Sequence, residues 1–418
     1  MMRRLLVEIL LGITIVCGGA VAARAATPGT LRIDLFHTGT ATEEHFSLAR
    51  IVREPLPWAG NPARPIDDTN LGKYSFDVID RASNRVVYSR GYASIYGEWE
   101  TTDDARGRAR TFEESLRLPP PDGPVQIVVK KRDATNAFHE VWSLLVDPAD
   151  QTIDRSTPPS AGAIVPLVKN GDSSSKVDLL ILGDGYTAAE RGKFETDARR
   201  LVDILFATAP FKERRADFNV WGLCPPATES GISRPSTGAW RRSPVGAQYD
   251  AFGSERYVLT FDNRAFRDYA SQAPYDVVEI LVNGRTYGGG GIFNLYATVA
   301  ADSAWSPYVF VHEFGHHFAA LADEYYTSDV AYNPPATRVE PWEPNVTALL
   351  DPASLKWKDL VTPATPLPTP WAKAEFEALQ KEIQARRRKI RADRRPESEM
   401  EALFQEARKQ HAQQAAAG

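Results

Sequence analysis

Residues 308–326 read YVFVHEFGHHFAALADEYY. His312 and His316 are four apart, so on a helix they project from one face, one turn above the other. That spacing lets two imidazoles grip one Zn²⁺ at roughly 2.0–2.1 Å each. Glu313 follows the first histidine and can sit beside the metal without binding it, where it would act as general base on a metal-bound water. The apolar run Tyr308-Val309-Phe310-Val311 leads into the motif from buried chain. The competing reading is a buried helix holding two hydrogen-bonded histidines. Against it, three of the chain's seven histidines fall between 312 and 317. His317 lies about 100° round the helix from His316, so it cannot share the metal face and is expected to pack or to support the ligands.

A catalytic zinc has three protein ligands and one open position. In H-E-x-x-H-x-x-G-x-x-H, the metzincin pattern, the third ligand would fall at Ala322 and the helix-breaking glycine at Ala319, so that pattern is not met. Asp323 stands one residue later, and Glu324 follows it. On an unbroken helix Asp323 would lie roughly 16 Å along the axis from His312. It can reach the metal only if the chain turns back after His316; otherwise both acids are helix-end or surface groups. Asp323 is the expected third ligand and Glu324 the alternative.

The elements that must position these groups can be read in turn. At 418 residues the chain is long enough for two or three domains. A net charge of −5 argues against nucleic acid as a main partner. Residues 1–26 have the pattern of a signal peptide: Arg3 and Arg4, an apolar stretch interrupted by Glu8, then Ala23-Arg24-Ala25 as a cleavage site. Bulky Val16 before Cys17 argues against lipoprotein processing. An uncleaved anchor is the alternative. The expectation is export to a secreted, periplasmic or cell-surface location, with membrane contact only through that segment. Cys224 would then be a lone cysteine in an exported chain.

Residues 27–150 carry short strand patterns such as Tyr74-Ser75-Phe76-Asp77-Val78-Ile79, split by turns such as Pro119-Pro120-Pro121-Asp122-Gly123, and predict a β-sandwich. Residues 151–175, polar and turn-rich, predict a linker. Residues 176–370 predict an α/β catalytic domain. Val177–Leu182 is a buried-strand run, Thr187 and Glu190 form a capping box, and a helix follows with Phe194, Ala198, Leu201, Ile204 and Leu205 on one face. Phe218–Leu223 and Tyr275–Val282 are further strands. Gly183-Asp184-Gly185 lacks the further glycines or lysine of a phosphate loop. Gly288–Gly291 leads into Ile292–Val299, read either as a flexible loop before an inner strand or as an edge to which an extended peptide adds. Residues 371–418 predict a helical hairpin, with seams Phe376, Leu379, Ile383, Ile390 and Met400, Leu403, Phe404, Ala407. Its basic run from Arg386 to Arg395 reads as a solvated helix face, with contact to an acidic surface as the alternative.

HEFGHHFAALADEYY resembles the signature of the bacterial IgA-peptidase-type zinc metallopeptidases: H-E-x-G-H, small and apolar residues, then Leu-x-Asp-Glu-Tyr, here Leu321-Ala322-Asp323-Glu324-Tyr325. Leu182-Gly183-Asp184-Gly185-Tyr186-Thr187, Pro344-Asn345-Val346-Thr347 and Lys356-Trp357-Lys358-Asp359-Leu360 also match, and the resemblance spans roughly 27–375. It implies His312, His316 and Asp323 as zinc ligands, Glu313 as base, and a metzincin-like fold with spacing one residue longer. Metzincins carry a Met turn beneath the zinc. This chain has Met only at 1, 2 and 400, and Cys224 has no candidate partner after processing. The expectation is a C-terminally incomplete catalytic domain, with the hairpin an insertion in it.

The resulting expectation is an exported zinc metallopeptidase acting on protein or peptide, with Tyr325 or Tyr326 available to stabilise an oxyanion. Its rivals are a catalytically impaired binding or scaffold protein of the same fold, favoured by the missing Met turn, and a zinc amidase acting on cell-wall amides.

Overall fold

The computed structural model describes residues 29–324 and 338–417. The expected signal segment, Tyr325 and Tyr326 lie outside the described residues. Within them, no helix is long and apolar enough to cross a membrane.

The N-terminal alternation builds β1 (Gly29–Gly39), β2 (Glu44–Pro57), β3 (Tyr74–Asp80), β4 (Arg85–Tyr92), the short helices α1 (Ile95–Trp99) and α2 (Asp103–Gly107), then β5 (Arg110–Leu118), β6 (Val125–Arg132) and β7 (Phe138–Val146). The strands pair antiparallel as β2-β1-β5 and β4-β3-β6-β7. Every second side chain points one way along a strand. Leu31, Ile33 and Leu35 of the first sheet therefore meet Phe76, Val78, Ile127 and Val129 of the second in one apolar cluster. Each such buried side chain contributes roughly 1.5–3 kcal/mol.

The next elements are β8 (Val165–Val168), β9 (Val177–Asp184), α3 (Arg191–Leu205), β10 (Phe218–Leu223), the pair β11 (Ala247–Gln248) and β12 (Leu259–Thr260), α4 (Asn263–Ala270), β13 (Val277–Val282), β14 (Gly289–Ile292), β15 (Tyr296–Ala300) and α5 (Ser306–Ala319). Six of the strands form one sheet in the order β14-β15-β13-β9-β10-β8. The inner four run parallel, and β14 and β8 close the edges antiparallel. Part of the stretch expected as linker is thus strand β8. Strand β9 reads as an unbroken apolar run because both its faces are covered. Leu179 and Ile181 pack towards α3 and α5, while Leu180 and Leu182 pack towards α4. Glu190 accepts a hydrogen bond from the Thr187 N–H at 2.9 Å, as the capping box predicts.

The outer face of β1 is not solvated, because α4 covers it through an ionic network. Arg32 binds Asp34 at 2.8 Å and Asp268 of α4 at 2.7 Å, and Arg50 reaches the same Asp268 oxygen at 3.0 Å. The chain ends in the helical pair α6 (Lys373–Ala392) and α7 (Glu397–Ala417). Met400 is buried in the pair's own cluster with Ile383, Leu403 and Ala407, so it is no turn beneath the histidines. The pair also touches the rest of the fold, with Phe404 5.5 Å from Tyr287 and Glu397 3.4 Å from Arg234. Cys224 is a free thiol packed over Gly183, and burial pushes it up to about 12, so it stays protonated at neutral pH.

Candidate metal centre

Helix α5 lies across the β14 end of the sheet, and glycine makes that approach possible. A Cβ on Gly291 would stand 2.9 Å from the His316 Cβ and 3.1 Å from the Glu313 carbonyl carbon, and one on Gly289 would stand 3.1 Å from the Glu313 Cγ. The glycine run, read from sequence as a segment ahead of a strand, is itself edge strand β14. Its missing side chains make room for the HEFGH turn. His317 fixes the helix from behind. It is fully buried, its Nδ1 donates to the Ile292 carbonyl at 3.0 Å, and its Nε2 accepts from the Val278 N–H at 3.1 Å. Burial pulls its imidazole down to about 4, so it stays neutral in this role.

The chain does turn back after His316. Ala320 ends α5 in the left-handed conformation, φ 56° and ψ 32°, and its N–H bonds back to the last turn. A non-glycine residue there costs roughly 1–2 kcal/mol, so the surroundings must enforce it. Asn345 does so by pinning the returning segment. Its Oδ1 accepts from the Ala322 N–H at 2.8 Å and its Nδ2 donates to the Ala322 carbonyl at 2.9 Å. The Lys356 ammonium binds the Pro341, Glu343 and Val346 carbonyls at 2.5, 2.7 and 2.8 Å, which fixes the loop that carries Asn345. Both residues lie in stretches that the sequence marked as signature-like without a role.

The result is a convergence of three atoms. His312 Nε2 and His316 Nε2 are 3.1 Å apart, and Asp323 Oδ1 lies 3.2 Å from the first and 3.1 Å from the second. Ligands at ~2.0–2.1 Å around a tetrahedral ion stand ~3.3 Å from one another, so the triangle fits zinc. Asp323 Oδ1 is buried and takes no well-directed hydrogen bond among the described residues, as a ligand atom awaiting an ion would. His316 Nδ1 donates to the Leu321 carbonyl, and Tyr308 stacks on His312 with its Oη 3.4 Å from Nδ1. Such partners turn the Nε2 lone pairs inward. The Glu313 carboxylate lies within 4.8 Å of both imidazoles. Glu324 stands aside, 3.4 Å from Asn345 Nδ2.

The electrostatics agree with this arrangement. Burial depresses His316, but the Asp323 and Glu313 carboxylates more than offset it and raise its imidazole to about 9 in the metal-free chain. Burial would raise Asp323, yet the two imidazoles hold it well below the usual carboxylate range. Burial is the main cause that lifts Glu313 above the ordinary glutamate range, a direction that brings a carboxylate closer to proton exchange near neutral pH.

The sequence model of the family described as IgA Peptidase M64 matches residues 165–417, and that of the Peptidase M64 N-terminus matches residues 23–143. The first match covers more than half of the chain and takes in both the histidine helix and the C-terminal helical pair. The chain belongs to the IgA Peptidase M64 family, a family of peptidases. No curated protein matches it.

Proposed function

We propose that this chain is an exported zinc-dependent metallopeptidase with a metzincin-like catalytic domain behind an N-terminal β-sandwich. The observation that carries the reading is the triangle of His312, His316 and Asp323. The sheet supports it too: a parallel core, an antiparallel rim strand β14, and the histidine helix packed on that rim. Export rests on the sequence pattern of residues 1–26.

His312, His316 and Asp323 would hold the ion. Zinc bound there would polarise a scissile carbonyl and acidify the attacking water. Glu313 takes the proton that the water releases and passes it to the amine as the C–N bond breaks. The substrate lies along the rim. The Gly289 N–H and C=O are taken up by Arg256 and Val258, so the next outward-facing backbone groups, by strand alternation, are those of Gly291. An extended peptide would pair there. The test is cleavage of a mixed peptide library by the purified full chain, lost on chelation and restored by zinc. A chain that cleaves no peptide with zinc present, or cleaves equally well after chelation, contradicts the proposal.

A further inference from the structure

The N-terminal sheets reach the rim of the cleft. The Ala93 N–H donates to the Phe293 carbonyl at 2.9 Å, and Asn294 Nδ2 donates to the Gly91 carbonyl at 2.7 Å, so the segment leaving β4 docks on the residues that follow β14. Ser94 then caps α1, and Glu98 on that helix faces the catalytic half. Its carboxylate accepts a hydrogen bond from the Tyr257 hydroxyl at 3.4 Å; burial raises it above the ordinary glutamate range, while Lys73 and His316 pull it back down. Tyr257 sits on the rim itself, its ring 2.6 Å from where a Gly290 Cβ would stand. Both residues are partly exposed. Lys73, whose charge also acts on Glu98, is paired with Glu100 and donates to the Gly97 carbonyl at 3.0 Å. A partly exposed carboxylate at the cleft rim, with a tyrosine hydroxyl beside it, can take the donors of a cationic side chain.

We propose that Glu98 and Tyr257 form a subsite for a lysine or arginine side chain of the substrate, so that the N-terminal region sets the specificity of the catalytic cleft. This rests on the peptidase reading above. The cation's donors would bind Glu98, with the Tyr257 hydroxyl beside them.

The experiment compares peptides that differ only in Lys, Ala or Glu at each position around the bond. The zinc-loaded full chain should favour Lys over Ala at one position. In Glu98→Gln that ratio of kcat/KM should collapse by about 10–100-fold, the scale of one charge-assisted contact, and mainly through KM. Glu98→Lys should invert it in favour of Glu. Direct binding of the Lys and Ala peptides to Glu313→Gln protein, with and without Glu98→Gln, reads the subsite without turnover. A Lys-to-Ala ratio that survives both Glu98 substitutions, in proteins that keep zinc and their melting temperature, overturns the subsite. Lys-selective binding that needs Glu98, with no cleavage of any peptide, would sink the peptidase reading and leave the subsite standing.

Discussion

Replacing Gly291 with alanine should disable the metal centre without touching a ligand. The added Cβ would meet the His316 Cβ at 2.9 Å and the Glu313 carbonyl carbon at 3.1 Å. Carbon atoms settle at about 3.5–4.0 Å, so α5 must retreat by at least ~0.6 Å at His316. Asp323 cannot follow, because Asn345 holds its segment from the other side. The ligand triangle opens on the two edges that join the helix to Asp323, beyond the ~0.2 Å tolerance of a metal site. Zinc affinity should fall about 10–100-fold, kcat about 10²-fold, and stability by about 1–3 kcal/mol from overpacking. Competition against a chromophoric chelator, peptide turnover and urea melts would read the three effects. Gly192→Ala is the control: nothing lies within 4 Å of its added carbon, and on helix α3 it should stabilise by about 0.5–1 kcal/mol. Parent zinc affinity and turnover in Gly291→Ala would refute the close-approach argument.

Three further outcomes follow from the same geometry. Asn345→Ala should lower zinc affinity about 10–100-fold by releasing the Asp323 segment, and equal affinity in the same titration would remove Asn345 from the account. Glu279 is fully buried on β13 with neither oxygen hydrogen-bonded among the described residues, and burial, with Glu313 adding to it, holds its carboxyl well above the ordinary range. The folded chain therefore keeps a proton that the unfolded chain releases above about pH 4.3. Stability should fall as pH rises from there, and Glu279→Met should flatten that slope in urea melts at pH 5 and 8. Zinc must displace the proton that His316 holds up to about pH 9. Apparent zinc affinity should therefore climb about tenfold per pH unit below that value and level off near pH 9, and a flat profile would contradict that protonation.

What was legible in the sequence was what local pattern encodes. The HEFGH helix, the buried run of β9, the Thr187–Glu190 capping box and the C-terminal helical pair all carry their period or cap in neighbouring letters. The position of Asp323 does not. It depends on Ala320 adopting a left-handed conformation, which alanine does not advertise and which Asn345 and Lys356 enforce from more than twenty residues downstream. The glycines of β14 left a loop and an edge strand equally open, because their purpose is the helix laid over them, a contact no window of sequence contains. Strand β8 was hidden in a polar stretch because it is four residues long and carries Pro166 at an edge. Glu98 gave no signal, since Tyr257 and the histidine helix come to it from the other half of the chain.

The central claim is that His312, His316 and Asp323 bind zinc while Glu313 moves the proton. The most direct measurement is zinc content and peptide cleavage on the same purified proteins: parent, Glu313→Gln and Asp323→Ala. The account predicts one zinc per chain in the parent and in Glu313→Gln, little in Asp323→Ala, and cleavage in the parent alone. Stoichiometric zinc in Asp323→Ala, or parent-rate cleavage by Glu313→Gln, would contradict it.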